Sequence, residues 1–127
     1  CPSDGGNFED YYIELERAET SDFNVTHVKE CTRIKLDREE LANTIILQDP
    51  KSTKATLTNG KHGVTVGFEG YRWLAFWSKE NAPFVCIEPW YSHTDFSEVK
   101  VPFEQREGTL TLKPHETFET SYSIRIW

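Results

Sequence analysis

The stretch RWLAFWSKENAPFVCIEPWYSHTD, residues 72–95, holds the two most apolar runs of the chain. RWLAFWS (Arg72 to Ser78) and FVCIE (Phe84 to Glu88) read as strands, and the polar KENAP between them reads as a hairpin-like loop. In FVCIE the side chains of Phe84, Cys86 and Glu88 share one face, and Val85 and Ile87 share the other. Both faces are apolar, which predicts a central strand covered on both sides with Glu88 at its carboxyl end. Pro89 cannot donate to a ladder, so the strand is expected to stop there and open into a pocket or loop.

Working outward, YYIELE (Tyr11 to Glu16) and RIKL (Arg33 to Leu36) alternate in the strand manner. IIL at 45–47 is a short apolar strand before the Asp49-Pro50 breaker. Residues 54–70, KATLTNGKHGVTVGFEG, read as strand, turn, strand around Asn59-Gly60, with a loop a little longer than two residues. TLTL (Thr109 to Leu112) reads as a short strand. FETSYSIRIW (Phe118 to Trp127) reads as a long one, with Phe118, Tyr122, Ile124 and Ile126 on one side. Pro114 and His115 supply the turn between these two. DREELAN (Asp37 to Asn43) is the only helix-like stretch, and CPSDGGN at 1–7 is turn-forming. Many strands and almost no helix predict an all-β fold, an antiparallel β-sandwich.

The 127 residues make one ordinary domain, and 37% hydrophobic with 28% charged residues fits a globular chain. A net charge of −7 disfavours nucleic acid and anionic membranes as partners. No apolar run approaches the roughly 20 residues of a membrane helix. Cysteines stand at 1, 31 and 86; the odd count and the spacing fit no zinc motif. Free thiols in a reducing, cytoplasmic compartment are the expectation. Asn24-Val25-Thr26 matches a glycosylation triplet, a pattern common by chance.

Partial desolvation of Glu88 at a strand end would make it a stronger base. Trp90, Tyr91, His93 and Asp95 follow at once. Rings that pack on the C–H faces of a pyranose, beside groups that take its hydroxyls, are what a sugar site needs. The competing reading is a glutamate paired with a buried Arg or backbone amides, with the aromatics as core. His62 reads as an exposed turn residue, and His27 and His115 as surface residues. Trp73 and Trp77 share a strand face and read as core. There is no HExxH, GxSxG, phosphate-loop or EF-hand pattern.

FEDYYIELE (8–16), HGVTVGFEGYRWLAFWSKENAPFVCIEPWY (62–91) and REGTLTLKPHETFETSYSI (106–124) together resemble the aldose 1-epimerase (mutarotase) family. Within it they look most like the bacterial LacX-like branch. The resemblance implies part of a large antiparallel supersandwich and interconversion of the α and β anomers of an aldohexose sugar. In the family's reaction a glutamate takes the proton from the C1 hydroxyl and a histidine protonates the ring oxygen. The ring opens, C1–C2 rotates, and the ring recloses. The motif CIEPW places the base at Glu88, and the resemblance implies Trp90, Tyr91, Asn43 and His93 along the sugar. No metal or cofactor is implied.

The chain departs from the family pattern in three places. The acid histidine lies in a segment resembling GHPAFN that would precede Cys1. A sugar-holding aspartate matches Asn43, so its charge is gone. His115 stands where relatives often have Gly. The resemblance covers the carboxyl-terminal part of the family, somewhat under half. Residues 1–127 are therefore expected to be the carboxyl-terminal portion of a single domain, little active alone. A sandwich lacking strands exposes edges, so the expected partner is the amino-terminal portion of the same protein or another copy. The rival expectation is a non-catalytic carbohydrate-binding β-sandwich.

Overall fold

The computed structural model describes residues 7–21, 28–95 and 97–127. Its strands are β1 (Tyr12–Ser21), β2 (Val28–Lys35), β3 (Ile45–Gln48), β4 (Lys54–Thr58), β5 (Gly63–Gly67), β6 (Trp73–Trp77), β7 (Cys86–Trp90) and β8 (Ser123–Ile126). They form two antiparallel sheets, ordered β2-β1-β4-β5-β8 and β3-β6-β7. Among the described residues a single α-helix, α1 (Arg38–Ala42), interrupts them. The chain is an all-β antiparallel sandwich, as its alternation predicts. No helix among the described residues is long and apolar enough to cross a membrane.

Register turns the apolar alternation into rows. Ile34, Ile13, Leu57, Val64 and Ile126 lie opposite one another across the whole larger sheet. Leu15, Ala55, Val66 and Ile124 form the parallel row. Ile45, Leu47, Leu74, Phe76 and Ile87 of the smaller sheet face these rows and close the main core. Burying such side chains is worth roughly 1.5–3 kcal/mol each. The rows continue past the cover: Ile124 and Ile126 on β8 are 59% and 80% exposed.

β6 is the strand covered on both faces: Trp73, Leu74, Ala75 and Phe76 are all fully buried. The central role expected for FVCIE therefore belongs to WLAFW. β7 starts at Cys86, ends at Trp90 and is an edge of its sheet among the described residues. Pro89 does not stop it; it sits inside β7 opposite Leu74. An edge strand has one side with no ladder to feed, so a missing N–H is tolerated there. Glu88 is consequently half-buried rather than enclosed.

Two further expectations change. TLTL forms no strand, and Leu110 and Leu112 are 53% exposed. The final run forms a strand only over Ser123–Ile126, with Trp127 adding a reciprocal backbone pair to Gly63. Without a partner strand, alternation alone does not make a ladder. The β4–β5 connection runs over residues 59–62, with Gly60 at φ 85 and the Asn59 side chain accepting from the Lys61 and His62 amides. His62 is half-buried there rather than exposed. Cys31 and Cys86 are free thiols. Cys1, the Asn24 triplet and His27 lie outside the described residues.

Candidate functional site

The outer face of the smaller sheet carries a grid of side chains. Ile46, Ala75 and Glu88 lie in one line across β3, β6 and β7. Gln48, Trp73 and Trp90 form the next line, and Trp77 and Cys86 the line on the other side. Side chains on one strand face repeat about every 7 Å, so Trp73 and Trp77 stand roughly 13 Å apart. Ala75 fills little of the space between them. That leaves room for the Glu88 carboxylate directly opposite, where cross-strand Cβ atoms are about 5 Å apart.

Glu88 has a neighbour in each direction along its own strand face. Trp90 Nε1 donates to Glu88 Oε2 at 3.1 Å. On the other side Cys86 shares the strand face with Glu88 and feels its charge. Burial pushes the Cys86 thiol up, and the Glu88 charge pushes it further. Cys86 is thus protonated at neutral pH. A carboxylate held by an indole donor on a strand, with aromatic surface beside it, can serve as a positioned base.

His93 belongs to the neighbouring layer. Its ring meets the Trp73 ring edge-on, with centroids 5.0 Å apart. Nδ1 lies 2.8 Å from the Thr94 carbonyl and Nε2 lies 3.3 Å from Glu107 Oε2. Arg72 links Glu107 at 3.2 Å to Asp49 at 3.3 Å, and its guanidinium lies 4.5 Å from the Trp73 ring centroid. Trp73 and Trp90 therefore stand between His93 and Glu88.

The other two residues named from the sequence lie apart. Tyr91 follows Trp90 and so points to the opposite face. Its ring packs 4.5 Å from Tyr71 and 5.2 Å from Phe118, and its hydroxyl lies 2.7 Å from Thr120 Oγ1. It pins the segment leading to β8. Asn43 is the exposed C-cap of α1, and its side-chain amide donates to the Glu39 carbonyl at 3.1 Å. It lies two strands from Glu88 and three residues before Ile46, the β3 residue in line with Glu88.

The sequence reading missed the cavity of about 440 Å³ formed by the loop at 92–109. His93, Asp95, Arg106 and Glu107 line it, and Val101 and Phe103 give it an apolar wall. Arg106 Nη1 donates to Asp95 Oδ2 at 2.8 Å. These residues come from an irregular loop, so no periodicity marked them. The one available signal was the charge density of Glu104 to Glu107 beside the His93 segment.

No family model and no curated protein matches the chain. A solved galactose mutarotase-like protein from Lactobacillus casei ATCC 334 is similar in structure, with a TM-score of 0.67 and 20% sequence identity. The match covers 93% of this chain and 45% of that one, so the chain spans less than half the length of its structural neighbour. The chain has a galactose-mutarotase-like β-sandwich fold.

Proposed function

We propose that the chain carries the base of an aldose 1-epimerase-like site, with Glu88 taking the proton from the C1 hydroxyl of an aldohexose. The observation that carries this reading is the placement of Glu88. It lies opposite Ala75, beside Trp73 and Trp90, with its carboxylate held by Trp90 Nε1. Trp90 offers ring surface to the sugar, and His93 flanks the site. The LacX-like resemblance and the mutarotase-like fold support the same chemistry. Asn43 and Tyr91 enter the reading as sugar contacts by resemblance alone, since their side chains are engaged in a helix cap and an aromatic cluster.

The acid is proposed to come from an amino-terminal portion of the same protein. β8 supports such a partner, because Ile124 and Ile126 extend the core rows onto a part of the sheet that the smaller sheet leaves uncovered. The compartment is proposed to be cytoplasmic. Polarimetry on freshly dissolved α-galactose tests the whole reading. The 127-residue chain alone should accelerate anomerisation little. Adding the amino-terminal portion should restore it, and Glu88→Gln should abolish it. Full activity in the restored Glu88→Gln protein would sink the assignment.

A second reading is a non-catalytic carbohydrate-binding sandwich. The orientation of His93 favours it: both ring nitrogens face Thr94 and Glu107, with Trp73 between the imidazole and the Glu88 side of the sheet. Sugar binding by calorimetry without anomerisation, even with the amino-terminal portion present, would establish it.

A further inference from the structure

We propose that the free edge of β8 pairs with β8 of a second copy of this chain, antiparallel and in a single register, so that two five-stranded sheets become one. The inference does not depend on the sugar reading. It concerns the main-chain edge of β8 and not the face that the amino-terminal portion would cover.

The two sheets leave four edge strands among the described residues, and three of them are guarded. β7 carries Pro89, which offers no N–H. β2 carries the exposed charges of Glu30, Arg33 and Lys35. β3 is four residues long and runs into Asp49-Pro50. β8 reads SIRI, with Ile124 59% and Ile126 80% exposed, and Arg125 is its one charge. An apolar edge without such guards is a template for another strand.

β8 has a built seat on β5. A Cβ on Gly67 would collide with Ser123 Oγ, and one on Gly63 would lie 2.7 Å from the Trp127 ring. Trp127 N–H donates to the Gly63 carbonyl at 3.0 Å, and Gly63 N–H donates back at 2.8 Å. That exchange fixes the phase of the backbone. Residues 127, 125 and 123 turn their N–H and C=O groups to β5, so those of Ile124 and Ile126 point to the open edge. A strand arriving there bonds to the two residues whose side chains are also exposed.

The sequence of β8 selects the register. In a two-fold antiparallel pair the axis passes a residue that faces its own copy. An axis at Arg125 sets it against the partner's Arg125 at the closer spacing of about 4.5 Å, where like charges repel. An axis at Ser123 sets Ile126 against the partner's Thr120, a polar residue. An axis at Ile126 leaves Ile124 outside the pairing. An axis at Ile124 avoids all three faults. Ile124 then meets the partner's Ile124, Arg125 meets the partner's Ser123, and Ile126 meets the partner's Tyr122. Tyr122 is 61% exposed, and aromatic–β-branched pairs stabilise neighbouring strands. The two-fold axis closes the assembly at two copies.

Sedimentation of the 127-residue chain tests the pairing at about 0.15 M salt, which screens the repulsion between copies. Each copy carries a net charge of −7. The chain should sediment at twice 14.8 kDa and fall to the monomer on dilution. Ile124→Pro removes the outward N–H and leaves the ladder to β5 whole. It should keep the circular dichroism of the wild type and raise the dimer Kd about 30-fold, the worth of two inter-chain hydrogen bonds. Ile126→Glu and Tyr122→Lys should each weaken the dimer. Combined in one chain they should restore it, because only in this register does each glutamate face the partner's lysine. A chain that is monomeric at every concentration, or that pairs only with the amino-terminal portion, overturns the proposal. A dimer that Ile124→Pro leaves intact overturns the edge. A combined variant that stays monomeric overturns the register.

Discussion

The indole Nε1 of Trp90 donates to the carboxylate of Glu88 at 3.1 Å, two residues along one face of an edge strand. In the proposed site, the side chain that would offer ring surface to a sugar is therefore also the one that aims the proposed base. Removing its donor while keeping its ring separates the two roles.

Trp90→Phe keeps most of the aromatic surface and loses the hydrogen bond. In the restored enzyme kcat should fall about tenfold, the usual scale for a misaimed base, while KM stays within about twofold. Polarimetric progress curves at several sugar concentrations give both numbers. A rise in KM with kcat unchanged would make Trp90 a binding platform only.

Cys86 provides a readout independent of turnover. Burial and Glu88 hold its thiol above the ordinary range. Glu88→Gln removes the charge, so alkylation of Cys86 by iodoacetamide should reach its half-maximal rate at lower pH than in the wild type. Stability follows the same linkage. The folded thiol keeps its proton to higher pH than the unfolded one, so its contribution is complete below about pH 8.5 and is lost as pH rises above that. Urea midpoints between pH 8 and pH 10 should fall more steeply in the wild type than in Cys86→Ser.

Tyr91 is predicted to act through structure. Tyr91→Phe loses the hydroxyl contact with Thr120, which should cost about 0.5–1 kcal/mol in urea unfolding. Galactose affinity should not change by calorimetry. A large loss of affinity at wild-type stability would return Tyr91 to the sugar.

The uncovered rows on β8 predict association. The isolated chain should elute from a sizing column ahead of a 14.8 kDa monomer. Replacing both Ile124 and Ile126 with Asp should move it to the monomer position. A wild-type chain that elutes as a monomer at all concentrations would show that β8 needs no cover.

His115 sits at φ 70, in the left-handed region where a side chain is strained. The strain of roughly 1–2 kcal/mol exceeds the extra chain entropy that Gly loses on folding. His115→Gly should therefore stabilise the chain by about 0.5–1 kcal/mol in urea unfolding.

Much of this was legible locally. A period of two in RWLAFWS, KATLT and GVTVG gives strands directly, because each apolar residue needs only a neighbour on its own face. Asn59-Gly60 marked its turn through the φ that Gly allows. His115, which the family resemblance sets against a glycine, stands at a position that shows positive φ. Cys86 and Glu88 were placed on one face by counting alone. TLTL failed the same test, since alternation makes a strand only when another strand comes alongside.

The sequence by itself determined most of the strands, their faces and the fold class, because those depend on the spacing of side chains along a few residues. Only the tertiary structure decided that β6 is covered on both faces and β7 is an edge, because that depends on which strands pair. That pairing half-buries Glu88, admits Pro89 into the ladder and sets Ala75 opposite the carboxylate. The loop cavity was likewise beyond reading, since long-range packing of an irregular segment leaves no period in the chain.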